Sequence, residues 1–294
     1  AMSGEGQVVL LCGEAGIGKS RIAEAAAERI SALPHIRMRY QCSPFHANSA
    51  FHPIIEQLQR AASFERDDPV DQKLDKLEAL LARAEADISD VAPLFASLLS
   101  INTVDRYPPL TFNVQKQREA TFQALIDQVS GLAGKLPVFM IFEDVQWIDP
   151  TTHDLLDLFV PQIADQRVLL LVTYRPEYQS RWSDYDHVSP IMLGRLGRAD
   201  ATALVSQLAS PVATDDPIVR EIVEKTDGNP LFIEEFTDAV FQAPDANATQ
   251  TPAPRAGRRL AAKVPATLSD SLMARLDHIP DGKRIAQVAA CIGR

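Results

Sequence analysis

Three short runs of consecutive apolar residues stand out along the chain, at 8–12, 138–142 and 168–174. A short unbroken apolar run is typical of a strand that is buried on both faces of a parallel sheet. Residues 36–42 instead alternate apolar and polar positions, which is the period of a strand with one face exposed. Residues 189–193 suit an edge strand. The pattern therefore predicts a buried parallel sheet.

Helical periodicity fills the intervals between these strands. Residues 20–33 place their apolar positions on one stripe, with Ile22 and Ile30 among them, and Pro34 stops the helix. The interval 43–130 is predicted to be mainly helical. Because strands and helices alternate, we expect an α/β fold in which helices sandwich the sheet.

The pattern changes after the edge strand, where only helical segments remain. We predict helices over 199–208, 218–226 and 231–241, and a stretch from 243 to 257 without apolar periodicity that reads as a linker. The expected organisation is a core over 1–195 with a helical insertion at about 43–130, a helical domain over 196–243, a linker over 244–262 and a helical segment over 263–294.

Composition and charge narrow the classes of partner. The chain has 294 residues, of which 46% are hydrophobic and 23% are charged, as in ordinary globular proteins. Its net charge of −10 opposes a role in coating nucleic acid, which needs a basic surface. The dense basic cluster is Arg255, Arg258, Arg259 and Lys263, and because it lies beside the predicted linker we interpret it as solvated. Together with the negative net charge, this leads us to expect no nucleic-acid partner.

The cysteines and the apolar stretches bear on location. Cys12, Cys42 and Cys291 are too few and too scattered for a disulfide framework or a zinc site, and we expect Cys12 and Cys42 to be buried thiols. No apolar stretch is long enough to span a membrane, and the start of the chain does not resemble a signal sequence. These patterns predict a cytoplasmic protein without a membrane partner. Apolar elements lie close to both ends, which suggests a segment of a longer protein.

The strongest motif lies between the first strand and the first helix. Residues 13–20 read Gly-Glu-Ala-Gly-Ile-Gly-Lys-Ser, which fits the P-loop pattern G-x-x-x-x-G-K-S. We expect Gly13 and Gly18 to let the backbone curl so that its N–H groups face a phosphate. Lys19 would reach the β- and γ-phosphates as a candidate catalytic residue, and Ser20 would ligate Mg²⁺. The candidate nucleotide-binding residues are Gly13, Glu14, Ala15, Gly16, Ile17, Gly18, Lys19, Ser20 and Arg21.

Two adjacent acids follow the second buried strand. Glu143 and Asp144 come directly after the apolar run 138–142. Beside a P-loop, one such acid can hold Mg²⁺ through water while the other polarises the attacking water. Both are candidate catalytic residues, and the spacing alone leaves their roles open.

The third buried strand also ends in polar residues. Thr173 or Arg175 could read the γ-phosphate, because parallel strands deliver ligand residues at their carboxyl ends. The alternative is that Arg175 is a surface ion-pair partner. We interpret Trp147 and Asp149 as packing and helix-capping groups, and the histidines as structural or solvated.

These motifs carry a resemblance to a known family. The chain resembles the AAA-like NTPase module of STAND-class signalling ATPases, in particular the module that follows a class III adenylate/guanylate cyclase domain and precedes TPR-type repeats in large bacterial proteins. The matching stretches include the P-loop, the segments 142–152 and 173–177, and the Gly-Asn-Pro-Leu-Phe sequence of 228–232. They run through nearly the whole chain.

The resemblance implies roles for particular residues. It implies ATP or ADP with Mg²⁺ as the ligands, Glu143 as the metal-side acid and Asp144 as the catalytic acid. Arg175 would be the sensor arginine, and Pro230 would contact the adenine side of the nucleotide. Residues 264–294 resemble the start of a winged-helix domain. The family's upstream Gly-Arg-Glu segment has no counterpart here, which implies weakened nucleotide affinity.

The function expected from these features is a regulatory ATPase switch with slow turnover, linked to cyclase or transcription-regulator domains. Its partners would be the nucleotide and fused or partner signalling domains, including TPR-type repeats. Two alternatives stay open. One is a DNA-handling ATPase of the origin-recognition type, which shares a winged helix. The other is a scaffold that holds nucleotide without hydrolysing it.

Overall fold

The computed structural model describes residues 4–84, 87–103, 106–209, 216–241 and 282–292. It divides into two compact units. The first unit runs to Glu14 and resumes from Lys19 to Leu193. The second unit combines Ala15–Gly18 with the residues from Gly194 onward.

The first unit is built on a five-stranded parallel sheet. Its order is β2-β3-β4-β1-β5, and each neighbouring pair is parallel. The strands are β1 Gln7–Cys12, β2 Ile36–Gln41, β3 Val138–Glu143, β4 Val168–Tyr174 and β5 Val188–Met192. The parallel α/β fold predicted from the apolar runs is therefore confirmed. β5 lies at an edge, as expected.

Helices surround this sheet and fill the interval between β2 and β3. The helices of the first unit are α1 Lys19–Ile30, α2 His52–Ala61, α3 Val70–Leu81, α4 Ile88–Leu98, α5 Val114–Lys135 and α6 Pro150–Phe159. Asn113 caps α5 by accepting a hydrogen bond from the N–H of Lys116. Asp149 caps α6 by accepting one from the N–H of Thr152, which is the helix-capping role predicted for it.

The two faces of the sheet bury different helices. On one face, Leu11, Ile141 and Leu171 pack with Ala23 and Ala27 of α1. The stripe predicted for this helix is confirmed at Ile30, which packs against this cluster, and wrong at Ile22, which is 42% exposed. Small side chains let α1 approach the sheet closely.

The opposite face carries the larger core. Leu10, Met140, Phe142 and Val172 contact side chains of α2 to α6, with Leu77 and Phe95 among the fully buried ones. The helices of the predicted interval 43–130 therefore cover most of this face of the sheet. One contact within it is very close: a Cβ added at Gly131 of α5 would collide with the carbonyl oxygen of Ala84.

The second unit is helical in its described part. It contains α7 Arg198–Leu208, α8 Pro217–Thr226, α9 Pro230–Phe241 and α10 Gly282–Ile292. Its apolar centre joins α7, α8 and α9 through Ala201, Val205, Ile222, Ile233 and Phe236. The helices predicted here are found within one residue at each end.

Several expectations fall outside the described residues. They concern the linker at 244–262, the basic cluster, and most of the segment 263–294. The thiols of Cys12 and Cys42 are buried, as predicted. Among the residues that the structure describes, no helix has the length and hydrophobicity needed to cross a membrane.

Candidate functional site

The carboxyl ends of β1, β3 and β4 meet at one edge of the sheet, and the predicted site residues follow them. The P-loop follows β1, the two acids close β3, and Arg175 follows β4. The backbone joins these ends, because the N–H of Gly13 donates to the carbonyl oxygen of Tyr174 at 3.2 Å. Within the first unit, the fold therefore brings together Lys19, the two acids and Arg175, which lie far apart in the sequence.

The P-loop curls through two glycines in the left-handed region. Gly16 has φ +76° and Gly18 has φ +100°, values that side-chain-bearing residues rarely adopt. Gly13 is not among the positive-φ residues, so the turn predicted at Gly13 and Gly18 is made by Gly16 and Gly18 instead. Alternating conformations of this kind turn successive N–H groups toward one concave side.

Lys19 begins α1 and is only 7% exposed. Its Nζ donates to the carbonyl oxygens of Gly13 at 2.8 Å and Glu14 at 2.9 Å. Burial lowers the pKa of this ammonium below its ordinary value, the charge of Asp144 opposes that shift, and the nearby charge of Arg175 adds to it. The ammonium group is thus held at the base of the loop, in the field of both Asp144 and Arg175.

Asp144 stands in an unusual backbone conformation just past β3. Its φ of 56° is left-handed, a region that aspartate tolerates better than most residues. The N–H of Asp144 donates to Oγ1 of Thr173 at 3.1 Å. Its two carboxylate oxygens accept from Nε2 of Gln41 and Nε2 of Gln146, each at 3.1 Å. Both the backbone and the carboxylate of Asp144 are therefore oriented by neighbours.

Glu143 is the last residue of β3 and has a different environment. Its residue is 2% exposed, and Oε1 accepts from Nε of Arg39 at 2.5 Å. The Arg39 side chain, on β2, is 45% exposed. The cation therefore neutralises a carboxylate that is otherwise almost fully withdrawn from water.

Arg175 supplies a second cation at this edge. Its backbone N–H donates to Oε1 of Gln146 at 3.2 Å. Its guanidinium Nε is buried without a hydrogen-bond partner among the described residues. A buried guanidinium nitrogen that finds no protein acceptor is suited to an anion supplied from outside. The alternative of a surface ion pair finds no support in the ion pairs of the described residues.

The other predicted residues are placed as follows. Ser20 is exposed on the first turn of α1. Its hydroxyl, like the carboxylates of Glu143 and Asp144, is an oxygen ligand of the kind that Mg²⁺ prefers. Arg21 is also exposed, and its side chain pairs with Glu28 of the same helix at 3.5 Å. Pro230 is the first residue of α9.

Sequence reasoning missed Arg39 and Gln41 on β2, which hold the two acids, and, in the second unit, Asn229 before α9. Arg39 and Gln41 occupy a strand that was interpreted only as half exposed, and Asn229 was read as part of a family motif. The signal on β2 was its alternation, because positions 39 and 41 share a face and register places Gln41 beside Glu143.

A separate group of ionisable side chains lies on α6. His153, Asp154 and Asp157 lie close enough to share an ion. Their carboxylates are already paired, Asp154 with Arg118 and Asp157 with Arg181 and Nε1 of Trp182. The imidazole of His153 contacts Asp157 at 3.2 Å. These contacts fit the structural role expected for histidine.

Comparison with known proteins identifies the family. The AAA ATPase domain family matches residues 1–172, which is more than half of the chain. The chain therefore belongs to the AAA ATPase domain family, and nucleotide binding is the property that membership implies. An uncharacterized protein of Rhizobium meliloti (strain 1021) is 32% identical over 246 residues. That match covers 82% of this chain and 23% of the relative, so the chain spans about a quarter of the relative's length.

Three solved structures are among those that match this chain. A STAND protein with a tetratricopeptide repeat sensor from Pyrococcus horikoshii is 11% identical, with a TM-score of 0.41, over 94% of this chain and 31% of that one. A chain of an E. coli MS115-1 HORMA:CdnC:Trip13 complex is 13% identical, with a TM-score of 0.45, over 94% and 75%. PCH-2 of C. elegans is 13% identical, with a TM-score of 0.38, over 81% and 56%. With TM-scores below 0.5, these likenesses carry no conclusion about this chain.

Proposed function

We propose that this chain is a regulatory module that binds ATP or ADP with Mg²⁺ and hydrolyses ATP slowly. The observation that carries the proposal is a P-loop with two cations beside it. Lys19 is buried at the base of the loop, and the buried Nε of Arg175 has no acceptor among the residues that the structure describes. Backbone N–H groups and two cations at one edge of a parallel sheet suit a polyphosphate.

The side chains divide the proposed work. The loop amides and Lys19 would hold the phosphates, Arg175 would contact the γ-phosphate, and Ser20 and Glu143 would hold Mg²⁺. The metal ion, when bound, neutralises charge on the phosphates. Because Arg39 already takes one oxygen of Glu143, we expect Glu143 to act on the metal through water.

Asp144 is the proposed general base. Its carboxylate lies in the field of Lys19, and Gln41 and Gln146 fix its direction.

The proposal also includes how nucleotide binding would be passed to other domains. A nucleotide that contacts one arrangement of the two units better than another would shift their populations, and hydrolysis would reset them. The output would then pass to fused or partner domains in the cytoplasm, of the cyclase or transcription-regulator kind, or to TPR-type repeats.

Turnover and binding together test this function. We expect Lys19→Ala to abolish binding of a fluorescent ATP analogue, and Asp144→Asn to keep binding while reducing phosphate release by about 100-fold or more. Asparagine suits the left-handed backbone at this position as well as aspartate does, so the fold is preserved. Asp127→Asn, an exposed acid on α5, is the control and should behave as wild type.

Each result has a distinct meaning. If Asp144→Asn releases phosphate at the wild-type rate, the assigned base is wrong. If the wild-type protein binds ATP but releases no phosphate, the scaffold hypothesis replaces the switch. If it binds no nucleotide, the proposed function fails.

A further inference from the structure

Asn229 connects α9 to the P-loop within the second unit, to which Ala15–Gly18 also belong. The residue precedes α9 and is 4% exposed. Its Nδ2 donates to the carbonyl oxygen of Ala15 at 3.0 Å, and its Oδ1 accepts from the N–H of Leu231 at 3.1 Å. One buried side chain therefore caps the helix and binds the loop at the same time.

A second hydrogen bond lies beside the first. The N–H of Leu231, one of the free donors at the start of α9, also reaches the carbonyl oxygen of Gly16 at 3.2 Å. Two successive carbonyl oxygens of the P-loop, those of Ala15 and Gly16, thus face the helical residues. The helix start satisfies both of them.

Peptide geometry turns this observation into a statement about the phosphate-binding amides. In a planar trans peptide the C=O and the N–H point in opposite directions. Because the carbonyl groups of Ala15 and Gly16 point toward α9, the N–H groups of Gly16 and Ile17 point away from it. Those N–H groups belong to the part of the loop that we expect to receive phosphate.

The packing of the loop leaves little freedom for another arrangement. A Cβ added at Gly16 would lie 2.8 Å from Cβ of Leu231 and 2.9 Å from Oδ1 of Asn229. Contacts this short do not occur between real side chains without movement. Gly16 therefore meets two requirements, a left-handed φ and direct contact with the residues that start α9.

The chemistry at Asn229 is specific. A carbonyl oxygen only accepts and a backbone N–H only donates, so the side chain must offer one donor and one acceptor. Aspartate would keep the cap to Leu231 but would place a carboxylate oxygen against the carbonyl oxygen of Ala15. In a buried position that exchange replaces attraction with repulsion.

We propose that Asn229 is a positioning residue for phosphate binding, which sets the direction of the Gly16 and Ile17 amides without touching the nucleotide. The inference rests on the proposed nucleotide-binding function. It also makes the coupling reciprocal: phosphate that holds these amides stabilises the bond between the loop and the start of α9, and that bond favours phosphate.

The test compares ligands that differ in their phosphates. We expect Asn229→Asp to weaken ATP and ADP binding by about tenfold, the loss that corresponds to one hydrogen bond and its unsatisfied acceptor, and to change adenosine binding much less. Thr237→Val is the matched control, because Thr237 is equally buried on α9 and its hydroxyl has no hydrogen-bond partner among the described residues. Competition against a fluorescent ATP analogue measures all three ligands.

A second measurement needs no nucleotide. Hydrogen exchange of the peptide covering 13–20 should be faster in unliganded Asn229→Asp than in wild type, and unchanged in Thr237→Val. Equal losses for adenosine and ATP would overturn the proposal, as would wild-type affinities with wild-type exchange in the loop. Failure of the wild-type protein to bind ATP would instead contradict the proposed function on which the inference rests.

Discussion

The ion pair between Arg39 and Glu143 shows how one side chain can support a site that it does not form. The Glu143 side chain is 3% exposed and the Arg39 side chain is 45% exposed, so the carboxylate bears most of the desolvation. A buried carboxylate without its cation costs several kcal/mol, whereas exposed pairs contribute little. Arg39 therefore belongs to the stability of the β3 end as much as to its chemistry.

Removing Arg39 should consequently destabilise the fold. We expect Arg39→Ala to lower the free energy of unfolding by about 2 kcal/mol, less than for a fully buried pair because the arginine is half exposed. Arg37→Ala is the control, since Arg37 lies on the same strand and pairs with Glu24 at 2.9 Å with both side chains exposed. That change should cost no more than about 0.5 kcal/mol. Urea unfolding measures the free energy of unfolding of both variants. Equal losses in the two would contradict the stabilising role of Arg39.

Among individual residues, the sequence predicted the P-loop and the two acids. Their residue types are those that bind phosphate and Mg²⁺, and they follow the strands at a fixed spacing. It did not predict Arg39, Gln41 or Asn229. Their partners lie about 100 residues or more away, and nothing local distinguishes an arginine or glutamine on a half-exposed strand from a solvated one. For Arg39 and Gln41, the register of β2 on β3 makes the role visible, and for Asn229 the contact with Ala15 does.

Among the elements, α5 contains two glycines with opposite surroundings. A Cβ at Gly131 would collide with the carbonyl oxygen of Ala84, whereas a Cβ at Gly134 would meet nothing within 4 Å. Glycine inside a helix normally costs about 1 kcal/mol relative to alanine. The chain accepts that cost at Gly131 because α5 passes so close to the short 3₁₀ turn Ala82–Ala84.

Alanine substitutions should separate these two effects. Gly131→Ala should lower the free energy of unfolding by about 1–3 kcal/mol, because the added methyl group forces the backbone of Ala84 to move. Gly134→Ala, the matched control in the same helix, should raise it by about 0.5 kcal/mol. Denaturant unfolding measures both. A stabilising effect at both positions would show that the close approach at Gly131 is relieved easily.

The strands were easier to predict than the faces of the helices. β4 was predicted at its observed ends, and β1 and β3 within one residue, since a strand buried on both faces has to be apolar throughout. The face of α1 was predicted only in part. Ile30 packs on the sheet as expected, but Ala23 and Ala27 take the closest positions, where hydrophobicity alone favours Ile22.

For the whole molecule, the division into two units rests on separate apolar centres. The side chains that hold α7, α8 and α9 together form a cluster of their own, apart from the large cluster that joins the sheet to α2–α6. Separate cores allow separate opening reactions. The sequence indicated this division through the point where strands give way to helices, but not that Ala15–Gly18 group with the helical residues.

Local truncations of each core should reveal this independence. Phe236→Ala, in the helical cluster, should speed hydrogen exchange in α7–α9 and leave β1, β3 and β4 nearly unchanged. Phe95→Ala, in the other cluster, should do the reverse. Mass spectrometry of the exchanged peptides measures the exchange rates in both variants. A uniform increase over the whole chain in either variant would mean that the two units open together.

The strand order also governs the path by which the chain acquires its structure during synthesis. β1 leaves the ribosome before the other described strands of the sheet, yet its two neighbours are β4 and β5, which follow last among them. Until then β1 lacks its strand partners. Such distant pairing slows folding and keeps apolar surface exposed. The first strand of this sheet to be synthesised therefore waits longest for its partners, and chaperones have the longest opportunity to hold it.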